Sequence, residues 1–152
     1  MLKLVILDWK RTLYDPDSKK LITGAKKLLK LLKFKKVSLI LIGKGGVEMH
    51  DEVKKFKIEK FFDEAIFIGE QKSVDIFKPF VLRVKPNECL FIGDRVRSEL
   101  QIGKKLGAFT LWVKQGRFAS ENPENKFQEP DYSVNSLDQC FDLIAKTFAW
   151  KD

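Results

Sequence analysis

Histidine occurs once in this 152-residue chain and cysteine twice. No apolar run approaches the ~20 residues that a membrane span requires. Each scarcity removes a class of protein. Cys89 and Cys140 lie far apart and outside any C-x-x-C or Cys/His cluster, which excludes a structural zinc site and a disulfide framework and leaves two buried thiols as the expectation. His50 stands in a polar segment with no partner at ligand spacing, so it is expected at the surface. Acidic residues are outnumbered, 21 against 29 basic ones, for a net charge of +8. Such a charge could draw nucleic acid or other polyanions without sequence specificity. The excess is mostly lysine and widely scattered, however, a bias like that of hyperthermophile proteins in which surface charge serves stability. The opening "MLKLVILD" lacks the charged, apolar and small-residue layout of a signal peptide, so a cytoplasmic location is expected.

The length fits one domain over residues 1–152, enough to bury roughly two-thirds of the surface exposed when unfolded. Short apolar runs alternate with helical patterns. Strands are predicted at 3–8, 37–42, 64–69, 88–94 and 109–113, with a last extended piece at "YSV". Between them, "TGAKKLLKLLKFKK" puts Ala25, Leu28, Leu29 and Leu32 on one helical face and lysines on the other. Further helices are expected in "VEMHDEVKKFK", in "SVDIFKPFVLRVK", in "RSELQIGKKLG" and from about Ser136 to Phe148. Pro79 makes the third of these either start late or kink, and Gly107 suits the end of the fourth. Runs this fully apolar indicate an α/β fold, a parallel sheet of about five strands with helices on both faces.

Sheets of that kind bind ligands at the carboxyl ends of their strands, where strand order reverses. The residues there are Asp8, Gly43, Gly69 and Asp94. If the first and fourth strands are neighbours, Asp8 and Asp94 converge, and two carboxylates so close repel unless a cation lies between them. Oxygen ligands of this type suit Mg²⁺. Glu99 could add an outer or water-mediated contact, and Lys72 could meet a phosphate or hold Asp8 ionised.

In order, "LDWKRT", Lys72 after "FFDEAIFIGEQK", and "FIGDRVRSEL" resemble motifs one, three and four of the haloacid dehalogenase (HAD) superfamily. The resemblance covers nearly the whole chain. It implies a three-layer, Rossmann-like, doubly wound fold and, in most members, phosphoryl transfer through an aspartyl-phosphate. Asp8 would be the nucleophile, and Mg²⁺ would be held by Asp8, by the backbone carbonyl of Lys10 and by Asp94.

Two positions depart from the family pattern. Family phosphatases carry an aspartate two residues after the nucleophile, which protonates the leaving oxygen and then activates water, a role worth roughly 10²–10⁴-fold. Lys10 stands there, and a lysine is ordinarily a cation at neutral pH. Nearby cations could lower its proton affinity or swing it outward. The second motif normally ends its strand in a Ser or Thr whose hydroxyl binds phosphate, whereas this chain has Gly43. Backbone N–H groups of Lys44, Gly45 and Gly46 could form an anion-binding nest there, or the glycines could be a plain turn.

About 30 residues separate Asp8 from Gly43 and a loop and helix fill them, so no cap domain is expected. Capless relatives tend to act on macromolecules or borrow a neighbouring subunit as a lid. The expected partners are therefore a phosphorylated small molecule or macromolecule, with a homo-oligomer possible, no membrane, and nucleic acid disfavoured. A Mg²⁺-dependent phosphatase is the leading reading. Behind it come a catalytically impaired relative that binds a phosphorylated ligand or protein, and a metal-independent dehalogenase-type hydrolase. Trp9 could shape the substrate entrance or pack on the sheet rim, and Arg95 and Arg97 could meet an anionic substrate or stay solvated.

Overall fold

The computed structural model describes residues 1–150. Its elements run β1 (Leu4–Leu7), a hairpin of β2 (Tyr14–Asp15) and β3 (Lys20–Leu21), α1 (Ala25–Phe34), β4 (Ser38–Lys44), α2 (Glu48–Lys55), β5 (Glu64–Ile68), α3 (Val74–Val81), β6 (Cys89–Gly93), α4 (Gln101–Lys105), β7 (Phe109–Val113), β8 (Tyr132–Val134) and α5 (Leu137–Thr147). Six strands form one sheet in the order β5-β4-β1-β6-β7-β8, each pair parallel. The chain winds outward from β1 in one direction through β4 and β5, then returns to the other side of β1 for β6, β7 and β8. That reversal lies between β1 and β6.

The period-two alternation of the strands divides the core. Val5, Leu7, Leu39, Leu41, Leu90, Ile92, Leu111 and Val113 face one layer, built with α1, α2 and α5. Leu4, Ile6, Ile40, Ile42, Phe91 and Trp112 face the other, with α3 and α4. Both faces are covered, which is why the strands read as unbroken apolar runs. Helix α1 buries Ala25, Leu28, Leu29 and Leu32 as its sequence predicts, each leucine contributing about 1.5–3 kcal/mol by leaving water.

Several expectations are corrected. "YSV" is a sixth strand, β8, paired with β7. Between β1 and α1, "DPDSKK" forms the turn of the short β2–β3 hairpin. Helix α3 does not start late: it begins at Val74 and ends two residues past Pro79, so the missing N–H costs a bond only in the last turn. "RSELQIGKKLG" is not one helix. An irregular turn over Val96–Leu100, broken at Ser98 (φ −125°, ψ −110°), precedes α4, which ends at Gly107 with φ +83°. No separate domain interrupts the chain between β1 and β5, and no helix among the described residues is long and apolar enough to cross a membrane.

Candidate active site

Asp8 follows the last residue of β1. Its N–H donates to the Ile92 carbonyl at 3.1 Å, continuing the β1–β6 ladder by one residue and carrying the carboxylate to the carboxyl edge of the sheet. There Oδ1 lies 2.5 Å from Lys72 Nζ and Oδ2 accepts from the Thr12 hydroxyl at 3.2 Å. Burial disfavours the ionised form of Asp8 and is the largest single influence, but the Lys72 ammonium and the hydrogen bonds to the carboxylate together outweigh it, and the carboxyl is held below the ordinary carboxylate range. Lys72 is shielded too; burial opposes its charge, yet Asp8 and Glu99 raise its proton affinity, so it is a fixed cation.

Asp94 follows β6, the strand hydrogen-bonded to β1, so the convergence of the two aspartates is realised. The Trp112 indole N–H donates to the Asp94 carbonyl at 2.9 Å and pins its backbone. Asp94 is buried, and its Oδ2 has no hydrogen-bond partner among the described residues. Burial, with Asp8 and Glu99 close by, pushes this carboxyl up to about 10. Glu99 folds back from the irregular turn: Oε1 accepts from the N–H groups of Asp94 (3.1 Å) and Arg95 (3.3 Å), and Oε2 lies 3.6 Å from Lys72 Nζ. Any Cβ at position 93 would overlap the Glu99 carboxylate, so Gly93 is what admits it. Burial and the Asp8 charge raise Glu99 as well.

Asp8, Asp94 and Glu99 bring ligand oxygens within 4.8 Å of one another. Ionised, three carboxylates against one ammonium leave a surplus of two negative charges. A divalent, oxygen-seeking cation fits that surplus and the orphaned Oδ2 of Asp94, and Mg²⁺ is such an ion. Since Glu99 Oε1 is committed to two N–H groups, it holds the Asp94 loop in place and leaves Asp8 and Asp94 as the side chains that would hold such an ion.

Lys10 is half-buried, and its ammonium makes no ion pair or hydrogen bond among the described residues. The turn after Asp8 is closed around it, by Tyr14 N–H to the Trp9 carbonyl (3.0 Å) and Arg11 N–H to the Tyr14 carbonyl (2.6 Å). The Lys10 carbonyl takes part in neither bond, so the oxygen that the family resemblance assigns to the metal is free. Arg11 adopts φ +64°, a left-handed conformation costing about 1–2 kcal/mol. Gln115 offsets it by donating to the carbonyls of Arg11 (3.2 Å) and Thr12 (3.0 Å).

The second-motif region is arranged differently from the nest considered above. Strand β4 continues through Lys44, Gly45 N–H then donates to the Ile68 carbonyl at 2.8 Å, and Gly46 N–H is taken by Glu48 at 3.3 Å. These two amides are spent within the chain, and Lys44 is exposed. Gly43 has a steric reason: a Cβ there would lie 2.8 Å from the Trp9 Cβ and 2.9 Å from the Phe67 ring. Trp9 is wholly buried and stacked on Tyr14 (centroids 5.1 Å, planes 3° apart), so it packs in the core and does not shape an entrance. Arg95 pairs with Glu121 and Arg97 with Glu124. Trp112 and Gln115 are site residues to which the sequence reading gave no part, and Thr12 entered it only as the last residue of "LDWKRT". The i+4 spacing of Thr12 from Asp8 is a usable signal; the hydrogen-bond partners of Trp112 and Gln115 have none.

A doubly wound parallel sheet with buried carboxylates at its switch point, one of them paired with a lysine, defines a class of α/β proteins with a metal-ready anion site. The HAD-hydrolase-like family model matches residues 41–140, and the chain belongs to that family. It is 28% identical over 132 residues to glyceraldehyde 3-phosphate phosphatase of Pyrococcus furiosus, covering 82% of this chain and 55% of that protein. Over 112 residues it is 28% identical to N-acylneuraminate-9-phosphatase of Mus musculus, covering 68% and 44%. The chain thus spans about half the length of the curated relatives it matches. A crystal structure of an uncharacterized protein from Listeria monocytogenes superposes with a TM-score of 0.78 at 17% identity, covering 95% of this chain and 97% of that one, which shows the shared fold.

Proposed function

We propose that this protein is a phosphomonoester hydrolase in which Asp8 is the nucleophile. The observation that carries the reading is the buried cluster at the switch point, where Asp8 is kept ionised by Lys72 at 2.5 Å and an unpartnered Asp94 oxygen lies among three carboxylates. The phosphatase names of the two relatives support it. Mg²⁺ held by Asp8, the Lys10 carbonyl and Asp94 supplies, when bound, the positive charge that lets a carboxylate approach an anionic phosphate.

Thr12 and Lys72 orient the two oxygens of Asp8, so one face of its carboxylate is presented to phosphorus. A bond forms between phosphorus and Asp8 as the ester oxygen leaves, and water then cleaves the acyl phosphate. Lys10 stands at the family's acid–base position, and on this reading it gives a proton to the leaving oxygen. The amine that remains takes a proton from the incoming water, which returns Lys10 to its starting state. Lys72 cannot serve in this way, because Asp8 and Glu99 hold its proton.

Lys10 in place of the acid–base aspartate favours a second reading, a chain that binds phosphate esters without turning them over. A panel of phosphate esters with and without Mg²⁺ separates the two. Turnover that is abolished by Asp8→Asn supports the hydrolase. A Lys10→Met variant should lose about 10²–10⁴-fold with alkyl esters and much less with p-nitrophenyl phosphate, whose leaving group needs no proton. An inactive wild type combined with an active Lys10→Asp variant would establish the second reading.

A further inference from the structure

The loop between β7 and β8 is tied to the loop that follows Asp8, and its attachments are specific. Gln115 bonds to the two carbonyls that follow Lys10, and Thr12, one of those residues, bonds to Asp8. Phe118 then lies beneath three guanidinium groups, with Arg95 at 4.0 Å and Arg11 and Arg117 both at 5.5 Å from the ring centroid. Arg95 adjoins Asp94 in the chain and Arg11 is three residues from Asp8, so the ring marks the point where both acidic loops meet. Arg95 is neutralised by Glu121 at 3.0 Å. Arg11 and Arg117 have no carboxylate partner within ion-pair distance among the described residues.

A cleft of about 270 Å³ is lined by these two arginines and Gln115 and also by Asp15, Asp17 and Ile22. Its volume equals roughly nine waters at about 30 Å³ each, the size of a small metabolite. Asp15 already accepts from the Asp17 N–H and the Ser18 hydroxyl. Gly116 turns the chain there at φ +71°, in the left-handed region that favours glycine. A lining that holds both guanidinium and carboxylate groups suits a small ligand that carries an anion and several hydroxyl groups, and disfavours a uniformly anionic polymer.

We propose that Arg11 and Arg117 form a second anion subsite, so that the preferred substrates are small hydroxylated phosphomonoesters carrying a further phosphate or carboxylate. The phosphoryl group to be removed sits at Asp8, and the second anion takes charge-assisted, planar hydrogen bonds from the guanidinium pair. This rests on the hydrolase reading given above and adds the substrate class to it.

The test compares matched esters that differ in the second anion: glucose 6-phosphate with glucose 1,6-bisphosphate, and glycerol 3-phosphate with 3-phosphoglycerate. The two pairs distinguish phosphate from carboxylate as the preferred group. The ratio of kcat/KM within at least one pair should favour the doubly anionic member tenfold or more, and Arg117→Met should reduce that ratio at least tenfold while Arg117→Lys restores much of it. A wild-type ratio near one, or a ratio unchanged in Arg117→Met, overturns the subsite, as does a single-stranded oligonucleotide that competes as well as the bisphosphate. If no ester is turned over, the hydrolase reading has failed and the subsite is judged by calorimetry on Asp8→Asn protein. Tighter binding of the doubly anionic probes that is lost with Arg117→Met supports it, and equal binding of both members overturns it.

Discussion

Lys72 is the single cation among three buried carboxylates, and removing it leaves their charge without compensation. Lys72→Met should lower the unfolding free energy by about 3–5 kcal/mol in metal-free buffer, read from urea midpoints, and millimolar Mg²⁺ should recover part of the loss; a midpoint within error of wild type would contradict the cluster's electrostatics. The same cluster predicts a pH dependence. Asp94 is raised from 3.8 to about 10, so the native metal-free protein holds a proton there that the unfolded chain releases. The stability this contributes is complete below about pH 4 and is lost as pH rises towards 10. Mg²⁺ must displace that proton, so at pH 7 each ion bound should release about one; calorimetric heats that do not vary between buffers of different ionisation enthalpy would refute it. Gly43→Ser places its Cβ against the Trp9 Cβ, which cannot rotate away, and should cost about 1–3 kcal/mol without improving phosphate binding. Of these residues, Asp8, Lys72, Asp94 and Glu99 were legible in the sequence because each follows a strand end or helix start that its own pattern marks. The fate of the Gly45 and Gly46 amides was not, since it depends on Ile68 and Glu48 as acceptors rather than on the glycines.

The strands position chemistry through their ends, and the end of β7 does so for a neighbour. Trp112 lies on the α3 and α4 side of the sheet, and its N–H holds the Asp94 carbonyl one strand away. Trp112→Phe keeps the packing and deletes that bond, so the fold should persist while Mg²⁺ affinity falls about tenfold or more, measured by titration against wild type; unchanged affinity would make the bond purely structural. Unbroken apolar runs made the five longer strands legible because both faces of the sheet are covered, and the 3.6-residue stripe did the same for α1, which buries one face. Tyr132–Val134 is only three residues long and too short to carry a period, and its place in the sheet comes from β7, to which Asp131 adds a side-chain bond at Thr110 N–H (2.8 Å). The broken turn over Val96–Leu100 was likewise hidden. Its cause is tertiary: Glu99 must return to the N–H groups of Asp94 and Arg95, and a regular helix from Arg97 would carry it away from them.

The whole molecule carries a net charge of +8 while its candidate site is an acidic cluster. The positive charge is spread over the surface, on the outer face of α1 and at Lys44, Lys114 and Arg117 near the carboxyl ends of the strands. A field of that sign raises the encounter rate of phosphate esters, and it is a long-range effect, cut down once the Debye length falls to about 10 Å at 0.1 M salt. The arginine pair over Phe118 acts at contact distance and is screened less. The two contributions should therefore separate with ionic strength. Between about 0.01 and 0.3 M sodium chloride at fixed Mg²⁺, kcat/KM for a dianionic ester should fall severalfold while kcat changes little, because chemistry at Asp8 follows capture. The preference for a doubly anionic substrate over its matched partner should shrink less than either rate constant taken alone. A kcat that falls in step with kcat/KM would place the salt effect inside the carboxylate cluster and remove the surface charge from any part in substrate capture, leaving stability as its physical role.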